Sequence, residues 1–103
     1  MGRHVEISKQ SQALDEHYYE VIPHDHPDIK PFYIGLNKAT KKIFFYEEIG
    51  KEPIAIVDLD GNLQYQSEAD KDRVPRWLIF LCLNKAKDAF LGGKFPSNIS
   101  FQS

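Results

Sequence analysis

The chain has 103 residues, 42% hydrophobic and 27% charged, with thirteen basic against fifteen acidic side chains and a formal charge of −2. Five Tyr, seven Phe and one Trp can fill the one hydrophobic core that this length allows, which excludes a disordered chain. A pI of about 6.0 excludes a globally basic nucleic-acid binder.

Cys82 is the only cysteine, so no intramolecular disulfide is expected and a reducing compartment suits the chain. Within the run Trp77–Leu83 it reads as a small buried hydrophobe; no His or cation lies beside it to favour a thiolate. The N-terminus has no apolar stretch of signal-peptide type, and the run from Trp77 is too short to span a bilayer. The expected location is cytoplasmic, without membrane contact. Gly2 after Met1 is a weak myristoylation signal. Asn98-Ile99-Ser100 matches a glycosylation sequon with no secretion signal to accompany it.

In chain order, residues 3 to 9 alternate loosely through Val5 and Ile7, as a short strand or extended arm does. Residues 10 to 16 are polar and predict a loop or a turn of helix. His17–Ile22 is rich in aromatic and β-branched residues and predicts a strand ended by Pro23. The loop from His24 to Pro31 holds two prolines that cannot continue a ladder. Strand character resumes at 32–36, turns over Asn37–Thr40, and returns at 42–47. Gly50 and Pro53 mark the next connection, before a strand at 54–59. Asp60-Gly61 predicts a tight type I′ hairpin to a last strand at 62–66.

Beyond Gln66 the period becomes helical. Asp72 is a candidate cap, Pro75 fits an early turn, and Gly92-Gly93 is a stop signal. The expected fold is α+β, an antiparallel β-meander of four to six strands packed against one long C-terminal helix. Residues 1–103 read as a single domain, with the arm 1–16 and the tail 94–103 as its candidate peripheral segments.

Candidate chemistry is sparse. His24-Asp25-His26-Pro27-Asp28 could offer two imidazoles and a carboxylate to a metal. It resembles the start of the His-x-His-x-Asp-His motif of metallo-β-lactamase-type hydrolases, but Ile29 stands where the last His belongs and the chain is too short for that fold. The simpler reading is a solvated loop. Asp58-Leu59-Asp60-Gly61-Asn62 has the wrong spacing for a calcium loop. No nucleophile elbow, P-loop or dinucleotide fingerprint occurs. Carboxylate pairs such as Asp15-Glu16 and Glu47-Glu48 read as solvated surface. Neither a cofactor nor a bound metal is expected.

Lys38, Lys41 and Lys42 beside Phe44, Phe45 and Tyr46 have the composition of a sheet that stacks unpaired bases, without the RNA-recognition motif. On the helix, Leu78, Cys82, Ala86 and Ala89 cluster on one side with Ile79 and Phe90. Arg73, Arg76, Asn84, Lys87 and Asp88 cluster opposite, and Trp77 and Phe80 fall in that polar sector. Aromatics ringed by Arg have the composition of an interface anchor, unless a tail carrying Phe95, Ile99 and Phe101 covers them. The expected function is therefore non-enzymatic binding of another protein, or of a second copy, through Arg73, Arg76, Trp77 and Phe80. A nucleic-acid binder and a small enzyme or metal protein using the His24–His26 loop are the competing readings.

Overall fold

A computed structural model describes residues 4–99 and the backbone of 101–102; Gly2 and the Ser100 of the sequon lie outside the described residues. Six strands follow one another as a meander: β1 (His4–Gln12), β2 (Glu16–Pro23), β3 (Phe32–Asn37), β4 (Lys42–Tyr46), β5 (Ala55–Asp58) and β6 (Leu63–Tyr65). Two helices, α1 (Asp70–Arg73) and α2 (Arg76–Gly92), precede a two-residue β7 (Phe101–Gln102). The sheet order is β6-β5-β4-β3-β2-β1-β7, and every pairing is antiparallel. Both edges are short strands, which limits unwanted edge pairing.

Period-two alternation gives the sheet two unlike faces. Val5 and Ile7 of β1, Tyr19 and Val21 of β2, Ile34 and Leu36 of β3, Ile43 and Phe45 of β4, and Ala55 and Val57 of β5 are all fully buried. Their registers align them across the strands, for example Tyr19↔Ile34↔Phe45↔Ala55. Leu78, Ile79, Cys82 and Leu83 complete this core from α2, together with Ala86, Ala89 and Phe90. Each fully buried large aliphatic or aromatic side chain contributes about 1.5–3 kcal/mol of transfer free energy. The Cys82 thiol, wholly buried, is pushed up to about 12 by desolvation and is held as a thiol.

The helical segment is broken where its sequence demands it. Val74 precedes a proline and adopts extended backbone (φ −129°, ψ 100°), and Pro75 is the N-cap of α2 rather than part of its first turn. Gly93 ends α2 in the left-handed conformation at φ 70°.

Three local expectations are corrected. The polar stretch 10–16 is neither helix nor a long loop: β1 runs on to Gln12 across a register shift between Lys9 and Ser11, and β2 begins at Glu16. Polar side chains are tolerated there because that end of β1 is exposed. The N-terminal arm is not peripheral over its described residues, since Val5 and Ile7 are fully buried. The β5–β6 turn is not a two-residue type I′ turn. Gly61 N–H donates to the Asp58 carbonyl, Asp58 N–H to that of Asn62, and Gly61 alone in the turn has positive φ, 89°. This is a three-residue loop ending on a left-handed glycine. The Asp58 carboxylate selects it by accepting from the backbone N–H groups of Asp60 and Asn62 and from the Asn62 side chain.

The tail returns along β1. Lys9 N–H donates to the Ser97 carbonyl at 2.8 Å and Ile99 N–H to that of Ile7 at 2.9 Å. The buried Tyr19 hydroxyl donates to the Pro96 carbonyl at 2.6 Å. Phe95 stacks on His17, with ring centroids 4.1 Å apart, and meets Phe90 edge-on.

Candidate functional site

Of the four helix residues expected to form an anchor, the fold keeps Arg76 beside Phe80 and turns Arg73 and Trp77 to other elements. Arg73 ends α1 and pairs with Glu47 of the β4–β5 loop, with Asp70 3.8 Å away. Arg76 is exposed, and its guanidinium lies 5.4 Å from the centroid of the Phe80 ring. Phe80 is half-buried and rests over the β5–β6 turn, where a Cβ added at Gly61 would lie 3.5 Å from it. Trp77 is also half-buried, with the His26 ring 4.7 Å from its own. The described tail packs on His17, Tyr19, Phe90 and β1; the Phe101 side chain lies outside the described residues.

The two loop imidazoles do not converge. His26 turns to Trp77, whereas His24 turns to β1, where its Nε2 is 3.0 Å from Glu6 Oε1 and its ring is 4.7 Å from that of His4. Asp28 faces a third way, into a cleft of about 580 Å3 between the β2–β3 loop, the β4–β5 loop and α1. Lys30, Glu47, Glu48, Lys51, Asp72 and Arg73 give this cleft charges of both signs. Among the described residues, no three metal-ligating side chains are grouped to hold a metal ion.

His17 is the one buried imidazole. It lies on the helix-covered face in register with Leu36, and its Nδ1 is buried with no hydrogen-bond partner. Burial, then the charges of Lys9 and Lys38, lower its pKa. The stack on Phe95 and the loss of solvent make it a packing residue of the tail.

The sheet's other face carries a more ordered group. Tyr18, Tyr33 and Phe44 project from it half-buried, since their strand neighbours Tyr19, Ile34 and Phe45 point into the core. Tyr18, Gly35, Phe44 and Ile56 form one cross-strand row. Gly35 leaves a gap in that row, and the Glu16 carboxylate fills it: a Cβ at Gly35 would clash with Glu16 Oε1. The Tyr46 hydroxyl donates to Glu16 Oε1 at 2.9 Å and the Tyr18 hydroxyl to Oε2 at 3.0 Å. Tyr46 faces outward yet is only 7% exposed, walled by the Tyr18 and Phe44 rings at 6.0 and 6.4 Å. Burial first, then the hydrogen bond and charge of Glu16, raise the Tyr46 and Tyr18 pKa values, so both phenols are protonated donors at neutral pH.

Sequence reasoning missed this group and placed Glu16 on solvated surface; it is half-buried and doubly bonded. The available signal was Gly35 inside a strand, which marks a close approach. What approaches it comes from β2, and only the register shows that. No family model, curated protein or solved structure matches this chain.

Proposed function

We propose that the chain is a non-enzymatic protein-binding module that engages its partner through the open face of the sheet. The observation that carries this reading is the asymmetry of the two faces. Helix α2 covers one, while among the described residues no element packs over Tyr18, Tyr33 and Phe44 on the other. Large, rigid aromatic side chains supply contact area at low conformational-entropy cost, and they are enriched at protein interfaces. Carboxylates weigh against nucleic acid as the ligand. Glu16, Glu20 and Asp58 occupy outward positions on the same face as Phe44 and Tyr46, against Lys42, and would repel phosphate.

A second reading keeps the outer side of α2 as the interface. It is favoured by Leu91, which is 80% exposed and falls by helical spacing in the sector of Trp77 and Phe80. The two are separated by placing a photo-crosslinking phenylalanine analogue at position 33, at 44, or at the exposed position 84, and irradiating in the native cell extract. Protein adducts from 33 and 44 but not from 84 are expected. Adducts from 84 alone would transfer the interface to the helix, and adducts from none would reject both surfaces.

A further inference from the structure

We infer that the open face receives an arginine side chain of the partner, held by Glu16 and stacked on the neighbouring tyrosines. This rests on the sheet-face reading and names the chemistry that the face recognises. Each Glu16 oxygen accepts one phenol hydrogen bond, whereas a carboxylate has about four acceptor sites. Two sites are left, and no cationic group among the described residues pairs with Glu16. The cation nearest in register is Lys42, reached through Asn37 two strands away, roughly 9–10 Å at normal strand spacing. Lys42 itself stands opposite Asp58.

The side chains around Glu16 add geometry to charge. Glu16, Tyr18 and Glu20 alternate along β2 and so share one face, with Tyr18 between two carboxylates. Glu20 is in register with Tyr33. A planar guanidinium can lie on a phenol ring while its N–H groups reach a carboxylate beside that ring, which an ammonium matches only as a point charge. Gly35 makes the arrangement possible, because any larger residue would push the Glu16 carboxylate off the sheet. A second copy of the chain is a poor occupant of the same face, as two like-charged surfaces would meet.

The probe is a blocked five-residue peptide, one arginine flanked by Val and Thr, titrated at low salt into the isotope-labelled whole chain. Amide shifts are followed by NMR, with lysine and citrulline versions of the peptide alongside. Saturable shifts at Glu16, Tyr18, Gly35, Phe44 and Tyr46 are expected with the arginine peptide, at least fivefold weaker binding with lysine, and none with neutral citrulline. Glu16→Gln, which keeps the shape and one acceptor, should weaken arginine binding at least tenfold, and Glu20→Gln a few-fold. The comparison among peptides needs no variant, so it stands even where a substituted chain fails to fold. Equal binding of citrulline at these amides would overturn the arginine assignment while leaving the face a binding surface. Shifts confined to the Asp28–Glu47–Asp72 cleft, or none at all, would also overturn it, and the sheet-face reading then stands or falls on the crosslinks. Concentration-dependent self-association that disturbs the same amides would replace arginine by a second copy.

Discussion

The two faces of the sheet are built from alternate residues of the same strands, yet they obey different rules. On the covered face, buried apolar groups meet in register, and the two buried polar side chains there, Tyr19 and His17, are turned to the tail. On the open face, the rings are half-buried, and polar groups complete the packing: Glu16 fills the gap at Gly35 and two phenols hold it. The covered face serves folding through area removed from water. The open face holds a preorganised polar group near solvent, which stability alone does not require.

The sharpest way to break this comparison is to truncate sequence neighbours that point opposite ways. Phe45→Ala should cost about 3–5 kcal/mol through transfer and cavity terms, and Phe44→Ala about 1 kcal/mol, since its ring already touches water. Urea midpoints read both. Equal losses would mean that the open face is as much core as the other.

A smaller effect tests the polar side of the covered face. Tyr19→Phe removes the hydroxyl that donates to the Pro96 carbonyl and should cost about 0.5–1.5 kcal/mol. Amide exchange at Lys9 and Ile99, the two donors of the tail–β1 bonds, should quicken with it. Unchanged exchange there would show that the tail is held by its backbone bonds alone.

Burial, then the charges of Lys9 and Lys38, hold the His17 pKa below the ordinary imidazole value of 6.5, so around and below that pH the unfolded chain binds more protons than the folded one. The His17 contribution to stability is therefore present above about pH 6.5 and is lost as the pH falls towards the lower folded value. His17→Leu should flatten the stability profile between pH 7.5 and 5 relative to the parent chain. Parallel profiles would place the acid sensitivity elsewhere.

The smallest expected effect sharpens the picture of the open face. Gly35→Ala should change stability by less than about 1 kcal/mol, because the phenol hydrogen bonds weakened when Glu16 is displaced are offset in part by the smaller chain entropy that alanine loses on folding. What it should change is the coupling: in a Glu16→Ala background the same substitution becomes neutral or stabilising, as alanine outranks glycine in a strand. Additive effects in that cycle would remove Glu16 from the space above Gly35.

Element by element, the strands from His17 to Gln66, the stop at Gly92-Gly93 and the buried side of α2 were legible, because alternation, helical period and Gly/Pro punctuation act over a few residues. The type of the β5–β6 turn was not, since it depends on Asp58 reaching three donors rather than on Asp60-Gly61 alone. Nor was the extent of β1, whose polar end is strand only because β2 offers it a ladder. The candidate site was the least legible part. Tyr46 and Glu16 are thirty residues apart, and each looks ordinary alone. By itself the sequence determined an α+β chain with a meander, a helix and no recognisable catalytic motif. The tertiary structure decided that His24 and His26 part company, that Trp77 and Phe80 lean on separate elements, and that Glu16 stands over Gly35. The physical reason is that side-chain direction follows from local backbone, whereas side-chain company follows from register across strands, which no local pattern encodes.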